Sequence, residues 1–156
     1  MSETTLKTMD TKQYIVVNVG NEQFGIDIQY VDNIVRMQRI TRVPKAQPYF
    51  YGVINIRGEI IPVMSLRVKF ELEPDTFTNK TRILIIKLEP QSAIGIIVDE
   101  VKNVITLSDD EIDVNTSVSN DEKSAFVIGV GKQESGLVTL LNLHGVIIEK
   151  ETVEKQ

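Results

Sequence analysis

The sequence contains no cysteine and no tryptophan, and its one histidine is His144. Without cysteine there can be no disulfide framework, no thiolate nucleophile and no thiolate metal site. With a single histidine, a His-rich metal site and a Cys–His catalytic pair are also excluded. We therefore expect no metal and no cofactor, and the absence of cysteine fits a reducing compartment.

Long apolar runs and basic runs are also missing. The first twelve residues, MSETTLKTMDTK, are polar and lack the apolar core of a signal peptide, and no apolar run approaches the ~18 residues that span a bilayer. The net charge is -5 and the basic residues are scattered, whereas binding to nucleic acid or an anionic membrane usually needs a basic stripe. We expect a cytoplasmic protein that binds neither.

Isoleucine and valine, in contrast, make up about a quarter of the chain, and such β-branched residues favour strands. YIVVNVGNEQFGIDI predicts a hairpin around Gly20-Asn21, and GVINIRGEIIPVMSL predicts a second around Arg57-Gly58. The segments TRILIIKL, SAIGIIVDEV, NVITL, AFVIGVGK and GLVTLLNL indicate further strands. Arg57 and Gly58 interrupt this second apolar run. They form either the tip of an ordinary hairpin turn or a site that contacts a partner.

Helical signals are few and short. Asp27 can cap a turn or two that places Ile28, Val31 and Ile34 on one face. The Pro-rich stretch 44–51 predicts a helical turn ended by Gly52. Three further caps are expected from polar residues that precede apolar runs: Ser65, Ser108 with Glu111 as a capping box, and Asn142 before a C-terminal helix.

The polar segment ELEPDTFTNK, residues 71–80, separates two strand-rich blocks. Short strands at regular spacing favour small barrels, in which closure removes exposed sheet edges. The pattern alone is equally compatible with two lobes divided by a groove and with one barrel carrying a surface loop.

No catalytic constellation is evident. The sequence has no nucleophile elbow and no phosphate-binding loop. Asp99 closes an apolar strand and His144 lies on the expected C-terminal helix. These two residues carry the alternative of a weak hydrolase, and a small-ligand-binding β-barrel is another alternative.

Three segments together resemble the CheW family of bacterial chemotaxis coupling proteins. They are RVPKAQPYFYGVINIRGEIIPVMSLRVKF, IGIIVDEVKNVITLSDDEI and LVTLLNL. The family pattern is a Pro-rich turn, Gly-Val-x-Asn-Leu-Arg-Gly, a strand ending in Pro-Val, and an Asp-Leu pair that opens a short helix. The opening YIVVNVGNEQFGIDIQYVDNIV matches the start of the family, and the resemblance covers about residues 13 to 148. Two departures occur: Ser65 replaces the usual Asp, and Asn33 replaces a common Glu.

The resemblance implies a mostly β fold of two small five-stranded SH3-like β-barrels, with short helices and a C-terminal helix. It places the first subdomain at about 13–80 and the second at 81–150, with exchange of strands between them possible. Residues 1–12 and 151–156 are expected to be flexible tails.

The resemblance also implies a non-catalytic adaptor, recruited to membrane-associated receptor arrays. Such an adaptor links the cytoplasmic tip of methyl-accepting chemoreceptors to the regulatory domain of the histidine kinase CheA. The residues expected to bind the receptor are Val31, Ile34, Arg57, Arg82 and Val104. The residues expected to bind the kinase are Ile40, Val43 and Gly52. A coupling protein of a non-flagellar array, serving pili or development, is the alternative within the family.

Overall fold

A computed structural model describes residues 10–114 and 126–147. The chain forms strands and a few short helices in this order: β1 (Thr11–Val19), β2 (Glu22–Asp27), β3 (Val31–Arg36), β4 (Phe50–Ile56), β5 (Glu59–Ser65), α1 (Leu66–Lys69), β6 (Arg82–Glu89), β7 (Ser92–Val98), β8 (Glu100–Ser108), β9 (Ile112–Asp113), β10 (Val127–Gln133), β11 (Gly136–Leu141) and α2 (Leu143–Ile147). Single 3-10 turns lie at Ile28–Tyr30 and Asp109–Glu111. The mostly β class expected from the Ile/Val content is confirmed.

The strands form two sheets. Sheet 1 has the order β8-β1-β2-β11-β10-β9, and sheet 2 has the order β3-β6-β7-β5-β4. Neighbours are antiparallel except for β2 with β11 and β5 with β7. Sheet 1 thus has six strands rather than five, and pairing among the described residues closes neither sheet into a complete barrel.

The sheets do not correspond to the predicted halves 13–80 and 81–150. Sheet 1 takes β1 and β2 from the start of the chain and β8 to β11 from its end, whereas sheet 2 takes all its strands from the middle. The polar segment 71–80 connects two parts of sheet 2. Residue 80 is therefore not a boundary between the sheets, because the pairing that builds sheet 1 joins strands far apart in sequence.

Alternation along the strands creates three apolar layers. In β1, Ile15 and Val17 face a central core between the sheets, while Tyr14 and Val16 face the outer core of sheet 1. In β6, the central core receives Leu84 and Ile86, and the outer core of sheet 2 receives Ile83 and Ile85. Because both faces of these strands are buried, their sequences are continuously apolar rather than alternating.

The predicted hairpins and most caps are confirmed. β1 pairs with β2 across Gly20-Asn21, and β4 pairs with β5 across Arg57-Gly58. The Ser65 hydroxyl accepts the Val68 N–H at 3.1 Å and begins α1. Ser108 and Glu111 form the expected capping box. Helix α2 follows Asn142 and buries Leu143 and Val146.

Two helical predictions are wrong. Asp27 does cap a turn, accepting the Gln29 N–H at 3.0 Å, but only residues 28–30 follow it before β3 begins. Residues 31–36 pair with β6 instead of continuing a helix. Pro44–Tyr51 forms turns and then enters β4 at Phe50, so Gly52 lies within a strand. In both places pairing with a neighbouring strand overrides local propensity.

The predicted tails need one correction, because Thr11 and Lys12 belong to β1. Residues 1–9 and 151–156 lie outside the described residues. Among the residues that the structure describes, no helix has both the length and the apolar character needed to cross a membrane.

Candidate interaction surfaces

Three of the predicted receptor-binding residues lie on edge strands and face the central core: Val31 and Ile34 on β3, and Val104 on β8. Ile34 on the edge strand β3 is directly opposite Leu84, and Val104 on the edge strand β8 is directly opposite Ile15. Residues directly opposite each other project from the same face of a sheet, and Leu84 and Ile15 belong to the central core. Ile34 and Val104 nevertheless remain 39% and 47% exposed. Both edges therefore present apolar side chains that the central core leaves partly uncovered.

Val31 and Ile34 share a face for a reason that the sequence did not reveal. Three positions apart, they would project to opposite faces of a regular strand. The pairing of β3 with β6 shifts between Val31 and Asn33, so that Val31 is opposite Ile86 and Ile34 is opposite Leu84. The bulge, rather than a helix, turns both side chains toward the central core.

The predicted receptor residues Arg57 and Arg82 lie at opposite ends of sheet 2. Arg82 begins β6, opposite Val98 at the end of β7. β5 runs parallel to β7, with Val63 level with Gly95, so the β4–β5 turn lies at the end where β7 begins. The structure therefore brings Val31 and Ile34 together on one strand but does not bring Arg57 and Arg82 together.

The backbone of the turn at Arg57 is held by a hydrogen bond, whereas the Arg57 side chain has no partner among the described residues. Arg57 and Gly58 have φ values of 53° and 88°, as a two-residue hairpin turn with both central residues left-handed requires. The Asn55 carboxamide accepts the Gly58 N–H at 3.0 Å. The exposed Arg57 side chain makes no hydrogen bond or ion pair with the residues described. A left-handed conformation costs a non-glycine residue about 1–2 kcal/mol, so the fold alone does not favour arginine here.

The predicted kinase-binding residues have different exposures. Val43 is 47% exposed, Ile40 packs against the outer core of sheet 2, and Gly52 is buried. A β-carbon on Gly52 would lie 2.1 Å from the carbonyl oxygen of Thr41, and the φ of Gly52 is 143°. Thr41 and Val53 exchange two backbone hydrogen bonds of 2.8 Å at this close approach. Gly52 therefore supports the 40–43 segment and offers no side chain to a partner.

An open groove of about 580 Å³ lies beside this segment, and its walls include Ile40, Val43 and Phe77. Phe77 is 48% exposed, and the sequence analysis missed it because it lies in the polar segment 71–80. Asp75 holds that segment in place: its Oδ1 accepts from the Tyr51 hydroxyl at 2.7 Å and also from Ser65 Oγ. Burial, and then the hydrogen bond to Asp75, raise the pKa of Tyr51.

The possible catalytic pair is not supported. Asp99 accepts two hydrogen bonds from Arg67, at 3.0 and 2.7 Å, and one from the Gly20 N–H at 2.8 Å. Burial raises the pKa of the Asp99 carboxyl, but the Arg67 and Gly20 hydrogen bonds outweigh it and hold the pKa below its usual range. His144 packs edge-on against Tyr30 at 5.9 Å between ring centroids. Each residue thus has a structural partner, and within the described ranges no group of acidic and histidine side chains could hold a metal.

Comparison with known proteins identifies relatives over almost the whole chain. The model of the CheW-like domain matches residues 13–151. A chemotaxis protein CheW of Bacillus subtilis is 33% identical over 141 residues, covering 90% of this chain and 89% of the relative. A chemotaxis protein CheW of Helicobacter pylori is 33% identical over 135 residues, covering 86% and 81%. The crystal structure of the scaffolding protein TtCheW from Thermoanaerobacter tengcongensis matches with a TM-score of 0.79 and 30% identity, covering 89% of this chain and 94% of that one.

Proposed function

Because this chain belongs to the CheW-like family of non-catalytic chemotaxis scaffold proteins, we propose that it couples the cytoplasmic tip of methyl-accepting chemoreceptors to the regulatory domain of the histidine kinase CheA. The observation that carries the proposal is that each sheet has an edge strand with apolar side chains on the face of the central core, Val31 and Ile34 on β3 and Val104 on β8. We infer that these two edges border one apolar mouth between the sheets. The protein acts in the cytoplasm and is recruited to membrane-associated receptor arrays.

The receptor tip binds at this mouth. A helical hairpin presents apolar side chains at helical spacing, and such side chains are buried most readily in a groove with apolar edges. Ile34 and Val104 supply those edges while remaining substantially exposed. Arg57, at the far end of sheet 2, contacts the receptor through a guanidinium whose directed donors suit carboxylates and backbone carbonyls. Arg82 provides a second cationic contact beside Ile34.

The kinase regulatory domain binds at the outer side of sheet 2. Val43 and Ile40 form an apolar patch there, and Phe77 extends it across the neighbouring groove. Ile40 packs on the outer core of sheet 2, whereas Ile34 projects toward the central core. The two partners therefore use different sides of sheet 2 and can bind at the same time, as a coupling protein requires.

The test is a pair of titrations with the full chain, against a receptor-tip fragment and against the CheA regulatory domain of the same organism. Ile34→Asp and Val104→Asp should each weaken receptor binding and leave kinase binding unchanged, because a charge at an apolar contact must be desolvated. Val43→Asp should have the reverse effect. Leu137, which is 60% exposed on sheet 1, provides the matched control Leu137→Asp, which should affect neither. If the wild-type chain binds neither partner, the proposal is wrong.

A further inference from the structure

Arg36 and Arg82 lie directly opposite each other on the neighbouring strands β3 and β6. Like charges in this position repel and destabilise a sheet. Arg82 donates to the carbonyl oxygens of Asn79 and Thr81, both at 2.9 Å, but these neutral groups cannot cancel its charge. Neither arginine takes part in an ion pair with the described residues. The fold thus holds two like charges side by side without neutralising them.

The two arginines also lie on the same face of sheet 2 as Ile34, the proposed receptor-binding face. Arg36 follows Ile34 by two positions and Arg82 precedes Leu84 by two, so each arginine projects from the same face as its apolar neighbour. On the other side of Arg82, Val98 belongs to the central core. The two guanidiniums therefore continue the apolar mouth between the sheets at the end where β6 begins.

We propose that Arg36 and Arg82 together bind an acidic side chain of the receptor hairpin that occupies this mouth, so that the pair sets the register and specificity of the contact. The inference rests on the proposed function, since it concerns the same site. A carboxylate between two guanidiniums accepts directed hydrogen bonds from both and removes their repulsion. Ile34 beside the pair fits a partner in which apolar residues are followed by an acidic one.

The distribution of charge favours an isolated carboxylate over a polyanion such as nucleic acid or an anionic membrane. Residues 28–98, which supply sheet 2, contain ten Lys and Arg against six Asp and Glu. The described residues that supply sheet 1 contain three Lys and Arg against ten Asp and Glu. They are residues 10–27, 99–114 and 126–147. Sheet 1 is therefore acidic on balance and repels an extended polyanion that reaches it, whereas one carboxylate at Arg36 and Arg82 stays on sheet 2, which is basic on balance.

The first experiment measures affinity for the receptor-tip fragment at several salt concentrations. Arg36→Gln should weaken binding about fivefold, since a solvent-accessible ion pair contributes up to about 1 kcal/mol. The double variant with Arg82→Gln should weaken it further and reduce the salt dependence. The matched control is Arg39→Gln, an exposed arginine beyond the end of β3, which should bind like the wild type. Glu→Arg at one acidic position of the fragment should restore the binding of Arg36→Glu.

The second experiment uses no receptor and separates this inference from the proposed function. Arg36→Gln should raise the melting temperature of the free chain by relieving the repulsion, and a short peptide with one glutamate among neutral residues, at low salt, should stabilise the wild type but not the double variant. If these results hold while the wild type fails to bind the receptor fragment, the proposed function fails and the carboxylate site stands. Unchanged fragment affinity, salt dependence and melting temperature in Arg36→Gln and in the double variant would overturn the carboxylate site alone. Self-association of the wild type that Arg36→Gln abolishes would overturn the receptor assignment in favour of a second copy.

Discussion

The guanidinium of Arg67 holds the carboxylate of Asp99 through two hydrogen bonds, of 3.0 and 2.7 Å. Arg67 lies on α1, directly after β5 of sheet 2, and Asp99 lies where β7 of sheet 2 leads into β8 of sheet 1. The Gly20 N–H of the β1–β2 turn completes the contact. This ion pair therefore fastens a helix of one sheet to the turn of the other.

Asp99→Asn should lower the free energy of unfolding at neutral pH by about 1–3 kcal/mol, because Arg67 loses its charged acceptor. The pKa of Asp99 is lowered in the folded state, so its contribution is present above the unfolded pKa of about 3.9 and is lost as the pH falls through the folded pKa. Urea unfolding from neutral to acidic pH should show the wild-type and variant stabilities converging in acid. The exposed Asp32, as Asp32→Asn, serves as the control, and a constant difference at all pH values would contradict the assignment.

Gly52→Ala should destabilise the protein by about 3 kcal/mol or more, since a β-carbon meets the Thr41 backbone and the backbone conformation disfavours an L side chain. Gly52→Asp should do the same and lose both partners through unfolding, so it cannot test the kinase surface. Thermal melting of the two variants measures the effect. Gly58→Ala is the comparison, because nothing lies within 4 Å of the added carbon there. Wild-type stability in Gly52→Ala would show that the Thr41 segment can move aside.

Arg57→Ala and Arg57→Glu should keep the fold and lose receptor affinity. Glu should be worse than Ala, because its carboxylate repels the receptor carboxylates that the Arg57 guanidinium is proposed to bind. Lysine should restore only part of the affinity, since it lacks the planar fork of donors. Arg57→Gly should be at least as stable as the wild type, because glycine tolerates the left-handed turn. The measurements are thermal melting and titration with a receptor-tip fragment. Full affinity in a folded Arg57→Glu would make Arg57 a solvated turn residue.

Phe77→Ser should weaken binding to the CheA regulatory domain and leave receptor affinity unchanged. Its side chain is exposed beside Val43, so its removal takes apolar area from the proposed kinase surface at little cost to the core. Titration of each partner against the purified variant tests this, with Ile60→Ser as the control at another exposed apolar residue. An equal loss of both partners would place Phe77 outside a dedicated kinase surface.

The sequence predicted what depends on neighbours in the chain. Both hairpins follow from two-residue turns between apolar runs, and the Ser65 cap follows from one side chain meeting a nearby backbone N–H. The resemblance supplied the candidate residues, and register then placed Val31, Ile34 and Val104 on the face of the central core. Their contact with a receptor remains a prediction.

The errors arise where distant segments meet. The spacing of Val31 and Ile34 suits a helix, and only pairing with β6 reveals a bulged strand. The boundary near residue 80 was approximate because strands can be exchanged, and the pairing of β2 with β11, in which Phe24 is level with Thr139, joins the two sides of that boundary in one sheet. The opposition of Arg36 and Arg82 likewise depends on strand register, which no local pattern in the sequence specifies.

Sheet 1 combines the first two strands of the chain with its last four, and this affects the order in which the chain folds during synthesis. Every strand of sheet 2 has been made once residue 98 is available, so that sheet can pair early. β1 and β2, though made first, must wait for β8 and β11 before both of their edges are paired. Because such long-range pairing closes a large loop, it forms slowly. The first strands to leave the ribosome are therefore among the last to be completed in the native sheet.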